Sequence, residues 1–273
     1  MTLRVGHISY VNCVPFFHFL HQSGFNGEIV SGVPSELNRL LAAGDIDLSP
    51  SSSFEYALHW RDYQLLPGHS ISSNGPVRSV LLFSPVALEE LSGKSIAVTG
   101  ESATSINLLQ VLLREFHGCR DLDCEVPGGS VEEVIADGGS ALLIGDRALR
   151  AAMRGGGGKI YDLGELWFRH TGLPFVFALW IVRRDAAAAK PEELSRFVRQ
   201  LAAAREMAES DLQALAAVTP ERSWLGEEGL VSYWRQMSYD FQDRHRRGLE
   251  LFFRLCGKHG LLAEQPELSR IQT

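Results

Sequence analysis

Phe175-Val176-Phe177-Ala178-Leu179-Trp180-Ile181-Val182 is an unbroken apolar run, with the length and the β-branched and aromatic content of a strand buried on both faces. The chain differs in character on its two sides. Upstream, strand-like and helix-like stretches alternate: Leu3 to Ile8, Glu28 to Val30, Asp45 to Ser49, Val77 to Ser84, Lys94 to Thr99 and Ala141 to Ile144 read as strands. Helices are predicted over 13–22, from Pro34 to a closing Gly44, and over Ala103 to Phe116. Trp167 to Pro174 reads as a loop, and Gly155 to Gly158 as a surface turn. Downstream of Pro191, Leu194, Phe197, Val198, Leu201, Ala208, Leu212 and Leu215 recur at helical spacing, and Trp234, Phe241, Phe252 and Leu255 predict further helices.

Alternation of this kind predicts an α/β protein with mostly parallel sheets. A helical tail after such a core fits a chain that leaves its first lobe, builds a second, and returns. With crossings near Ser84-Pro85 and within Ala178–Val182, residues 1–84 plus 179–273 form one lobe and 85–178 the inserted one. That is the plan of a type II, periplasmic-binding-protein-like fold, with a ligand cleft between the lobes. A single doubly wound sheet has the same periodicity, and the pattern alone leaves both open.

The composition narrows the partners. The 273 residues are 45% hydrophobic and 22% charged, as in an ordinary globular protein. A net charge of −7 argues against nucleic acid, which needs a basic face. It does not argue against a small anion, because a local nest of amide and hydroxyl donors binds one whatever the global charge. No apolar run reaches membrane-spanning length, and Met1 to Ile8 leads straight into a strand, unlike a signal peptide. The four cysteines are scattered, so a reducing cytoplasm is the expected compartment. His18 and His21 share a helix face but have no third ligand nearby, and Cys119 and Cys124 have no second pair, so no metal is assigned. Phosphate-loop, dinucleotide and nucleophile-elbow motifs are lacking, and no cofactor is expected.

The notable polar feature is a set of hydroxyl and amide clusters at strand ends: Ser9-Tyr10-Val11-Asn12, Ser49-Pro50-Ser51-Ser52-Ser53, Ser70-Ile71-Ser72-Ser73-Asn74-Gly75 and Glu101-Ser102-Ala103-Thr104-Ser105. Ligands of open α/β sheets bind beyond the carboxyl ends of strands, and helix starts favour anions there. Ser102 to Ser105, between a strand and an apolar helix, would cradle a carboxylate; equally, Ser102 or Thr104 caps that helix. Ser51, Ser52 and Ser53 carry the same two readings, and Asp146, after the buried strand at Ala141, either accepts from a substrate hydroxyl or is an N-cap.

Taken in order, these motifs resemble one family. Ile8-Ser9-Tyr10-Val11-Asn12, Gly32-Val33-Pro34 with Leu37-Asn38, and Asp47 to Ser53 with Glu55-Tyr56 are similar to the chorismate dehydratases of the futalosine route to menaquinone. The similarity continues through Leu66-Pro67, Ile71 to Ser73, Gly75, Ser79 to Leu82, Glu101 to Ser105, Leu143 to Leu149, Tyr161 to Trp167 and Thr171 to Trp180. It runs from residue 6 to about 182 and is loose beyond. The sister family, which makes 1,4-dihydroxy-6-naphthoate, carries a histidine where this chain has Gly145. That departure favours the dehydratase.

The resemblance implies the two-lobed fold and the conversion of chorismate to 3-[(1-carboxyvinyl)oxy]benzoate with loss of water. It implies a small dianionic substrate and assigns no oligomeric state. Asn12 and Ser79 are the residues it implies at the reacting centre, with Tyr10, Ser51, Ser52, Ser53, Ser102, Thr104, Ser105, Gly145 and Asp146 binding substrate.

Overall fold

The computed structural model describes residues 2–155 and 158–271. Gly156 and Gly157, the middle of the four-glycine run read as a turn, lie outside the described residues. The strands are β1 (Arg4–Ile8), β2 (Glu28–Gly32), β3 (Leu48–Ser52), β4 (Tyr63–Ser73), β5 (Val80–Ser84), β6 (Ser95–Val98), β7 (Asp123–Glu125), β8 (Ser140–Ile144), β9 (Lys159–Asp162), β10 (Phe175–Arg183) and β11 (Met237–Phe241). They form a six-stranded sheet in the order β11-β4-β10-β3-β1-β2 and a five-stranded sheet in the order β7-β6-β8-β5-β9. The chain divides into two compact units: Met1–Ile71, Ala178–Phe241 and Glu267–Thr273 make the first, Ser72–Phe177 and Gln242–Pro266 the second.

In the first unit β1 runs parallel to β2 and β3, and β10 returns antiparallel to β3. Strand β10 is buried at every residue from Phe175 to Val182, as its apolar run requires. Over it pack the aromatic rings of Phe16, Phe17 and Phe197, each within 6 Å of the Trp180 ring. The helix Pro191–Ser210 delivers Phe197 along a face that also buries Leu194, Leu201, Ala204 and Ala208. Truncating such a ring costs about 3–5 kcal/mol.

In the second unit β6 is parallel to β7 and β8, while β5 is antiparallel to β8 and β9, so the sheet is mixed rather than mostly parallel. The helix Ala103–Phe116 matches its sequence bounds and buries Leu108, Leu109, Val111, Leu112 and Leu113. Among the described residues no helix is long and apolar enough to cross a membrane.

Several expectations are corrected. The first boundary is at 71/72 rather than 84/85, because Val80–Ser84 hydrogen-bonds to β8 and β9 of the second unit. The helix Asp243–Lys258 also belongs to the second unit. There Phe252 meets the rings of Phe175 at 5.0 Å and Trp167 at 6.2 Å, and Gly248 lies so close to the Pro174 carbonyl that a Cβ would collide with it. Strand β3 starts at Leu48 rather than Asp45, because the N–H groups of Gly44, Asp45 and Ile46 are taken by the Leu40 and Leu41 carbonyls at the helix end. Phe241 is in a strand: Met237, Tyr239 and Phe241 are buried in alternation, a period of two. Trp167 to Thr171 is helical rather than loop, within Leu163–Thr171, and Gly172 ends that helix in the left-handed region.

Candidate functional site

In the first unit the parallel neighbours β1 and β3 run out at the same end of the sheet, with Val5 beside Leu48. The segments holding Tyr10, Asn12, Ser51, Ser52 and Ser53 therefore gather at the carboxyl ends of those strands. Asn12 lies in a one-turn 3-10 helix, Val11–Cys13, whose flanking Val11 and Cys13 are buried. Trp234 fixes that turn by donating its indole N–H to the Val11 carbonyl at 2.8 Å. The Asn12 Oδ1 atom is shielded from solvent and has no hydrogen-bond partner; the same holds for the Ser51 Oγ atom on β3.

Buried polar atoms are nearly always paired, so two orphans among these five residues are informative. Other buried serines of the unit are satisfied: Ser49 donates to the Pro50 carbonyl at 2.9 Å and Ser70 to the Asp240 carbonyl at 2.5 Å. Ser52 occupies the cap position of the helix Ser53–Leu58 but makes no side-chain cap bond, so capping does not account for it. Glu55, in that helix's first turn, has its carboxyl pushed up by burial, an effect the nearby His59 partly offsets.

In the second unit, parallel β6 and β8 end together, and β5 begins beside the end of β8, with Val80 opposite Ile144. Ser79, Ser102, Thr104, Ser105, Gly145 and Asp146 are thereby brought to one end of this sheet. The closest link is direct: the Gly145 N–H donates to the Ser79 carbonyl at 2.7 Å. Gly145 holds a φ of 58°, a left-handed value that glycine takes without strain. Ser79 is 2% exposed, and its hydroxyl lies 3.4 Å from the Val77 carbonyl.

Ser102 is the N-cap of Ala103–Phe116; its Oγ accepts from the Ser105 N–H at 3.3 Å and lies 3.2 Å from the Ser105 hydroxyl. Capping of this kind contributes about 1 kcal/mol. Thr104 and Ser105 are buried in the first turn behind it. Asp146 is not an N-cap: that position belongs to Ile144, and Asp146 adds its charge to the first turn of Gly145–Arg154, where the helix dipole favours it. Arg147 braces the region, with Nε and Nη2 on the Glu132 carboxylate at 2.8 and 2.5 Å and Nη1 on Glu101 at 3.0 Å.

Sequence reasoning about polar clusters misses Asp162. Its carboxylate accepts from the backbone N–H groups of Val77, Arg78 and Glu165 at 3.0, 2.6 and 3.0 Å. Burial pushes its carboxyl up, and those donors oppose the shift. The signal available in sequence was an aspartate at a strand end opening a helix, which predicts the cap but not the bonds to the turn before Ser79.

The two α/β units, each with its own mixed sheet and strand-end polar cluster, define a protein of the periplasmic-binding-protein fold class. Many solved structures share the fold, and two of the similar ones illustrate it. A protein of Archaeoglobus fulgidus matches with a TM-score of 0.74 at 20% identity, covering 96% of this chain and 98% of that one. The alkanesulfonate-binding protein SsuA of Xanthomonas axonopodis pv. citri, bound to MOPS, matches with a TM-score of 0.73 at 17% identity, covering 98% and 96%. Sequence is more specific. A family model described as menaquinone biosynthesis matches residues 3–258, and the chain belongs to that family. The chorismate dehydratase of Thermus thermophilus is 36% identical over 264 residues, 91% of this chain and 93% of that protein.

Proposed function

We propose that this chain is a chorismate dehydratase, a hydro-lyase that aromatises its substrate by removing one water. The observation that carries the reading is the 36% identity to the Thermus thermophilus chorismate dehydratase over nearly the whole of both chains. The orphaned Asn12 Oδ1 and Ser51 Oγ supply its local support, since each is a buried group lacking the partner a polar ligand would provide.

The chemistry asks little of a strong protein base. The C3–H of chorismate is conjugated through the diene to the ring carboxylate, so its removal places negative charge on that carboxylate. The electrons then expel the C4 hydroxyl, the ring becomes aromatic, and the departing hydroxide with the abstracted proton makes water. Hydroxyl and amide donors at Ser51 to Ser53 and at Ser102 to Ser105 are assigned to the two carboxylates. A donor aimed at growing charge contributes about 3 kcal/mol to the transition state. Asn12 and Ser79 are assigned to orienting the reacting C3 and C4. The proton acceptor in this scheme is the substrate's own enolpyruvyl carboxylate, held near C3 by positioning.

Incubation of the purified protein with chorismate tests the reading. The expected result is a new aromatic absorbance and a product lighter by one water. A protein that binds chorismate without consuming it would instead act as a solute-binding protein, and one inert to chorismate would overturn the assignment.

A further inference from the structure

We infer that Asp162 is a positioning residue for Ser79, an inference that rests on the dehydratase reading above. Asp162 ends β9, and β9 pairs with β5 so that Asp162 lies opposite Leu81, two residues past Ser79. Its two carboxylate oxygens do different work. Oδ1 accepts from the Glu165 N–H, which caps the helix Leu163–Thr171, and also from the Val77 N–H. Oδ2 accepts from the Arg78 N–H at 2.6 Å, a bond that contributes nothing to the helix.

Arg78 is where that bond matters. Its φ is 62°, and among the described residues only Asp121 shares a positive φ without being glycine. A side chain in this region is strained, and such strain persists only where the surroundings hold it. Asp162 supplies the hold at Val77 and Arg78, and Gly145 supplies it one residue further, by donating to the Ser79 carbonyl at 2.7 Å. Gly164 lets the helix start press on the same turn, because a Cβ there would lie 2.6 Å from the Ser73 hydroxyl and 2.7 Å from the Gly75 carbonyl. The Ser79 backbone is thus fixed from both sides, on one of them by the Asp162 carboxylate.

The test is a double-mutant cycle. Asp162→Asn keeps one oxygen for the helix cap but turns an amide donor towards one of the N–H groups of the turn. On chorismate, D162N lowers kcat by about tenfold or more while KM stays within about threefold, as misplacement at a reacting centre does. In a Ser79→Ala background the same change costs less than about twofold, because Asp162 acts through Ser79. Adding Arg78→Gly to D162N restores at least about fivefold of the lost kcat, because glycine adopts the left-handed φ unaided. If D162N fails to fold, Asp162→Glu, which keeps the charge at the wrong reach, is read by the same cycle. Equal losses in both backgrounds, or a D162N kcat within about twofold of native, overturn the inference and leave the dehydratase reading standing. A native protein that does not turn over chorismate overturns both, and a fully active S79A removes the residue that Asp162 is said to position.

Discussion

Replacing Ser51 with alanine should move stability and substrate binding in opposite directions. The Ser51 residue is fully buried in β3 and its Oγ has no partner. A buried hydroxyl without a partner carries a desolvation penalty of about 1–3 kcal/mol. Alanine removes the hydroxyl and leaves only a small void, so the free protein should gain about 1 kcal/mol, or roughly 2–4 °C in Tm for a chain of this size. If the hydroxyl donates to a substrate carboxylate, the loss on the bound side is that of a charge-assisted hydrogen bond, about 1.5–3 kcal/mol. At about 1.4 kcal/mol per decade this is a rise in KM of roughly tenfold to a hundredfold. Differential scanning fluorimetry and steady-state kinetics on chorismate read the two effects on one preparation. A Tm lowered by several degrees would show that the hydroxyl has a structural partner. An unmoved KM would remove Ser51 from the site.

Asn12→Ala and Ser79→Ala should each lower kcat at least about tenfold with circular dichroism unchanged; near-native rates would take them out of the mechanism. Thr104→Val, isosteric at a fully buried position, should chiefly raise KM, and an unchanged KM would make Thr104 a packing residue of the helix start. Burial, and secondarily Arg205, pushes the His69 imidazole down to about 4 from 6.5. The unfolded chain therefore takes up a proton between those values that the folded chain refuses. Stability from this group is complete above about pH 6.5 and falls as the pH drops towards 4, by up to about 3 kcal/mol. Urea unfolding of His69→Gln beside the native protein over that range should give a flatter pH curve for the variant, and parallel curves would refute the assignment.

The elements legible in the sequence were those fixed by local chemistry. The apolar runs of β8 and β10 and the helix Ala103–Phe116 declare themselves by period. Strand β4 does not. It contains Pro67 and Gly68 and buries His69, Ser70, Ser72 and Ser73, residues whose local preference is for turns. Distant partners make the strand possible: the Asp240 carbonyl takes the Ser70 hydroxyl, and Arg205, also bonded to Asp240 and the Tyr239 carbonyl, lies 3.4 Å from the His69 ring. The helix Asp243–Lys258 was misplaced for the same reason, since an apolar face does not say which surface will cover it.

The candidate site divides along the same line. Hydroxyl clusters are visible in sequence, but the structure puts Ser49 to Ser52 within β3 and Ser70 to Ser73 within β4, and only the clusters at Ser9 and Glu101 follow a strand, after β1 and β6. Which hydroxyls are occupied depends on partners brought from elsewhere. Ser102 is engaged by Ser105, three residues away, and its capping role was foreseeable. The lack of a protein partner for the Ser51 hydroxyl was not, because it is a property of everything around β3. Asp162 meets Val77 and Arg78 across 85 and 84 residues of chain, and only β9 lying beside β5 brings them together. A carboxylate that fixes a strained turn next to Ser79 leaves no local pattern. Sequence locates the donors of such a site, and the tertiary fold determines which of them stay free to meet a substrate.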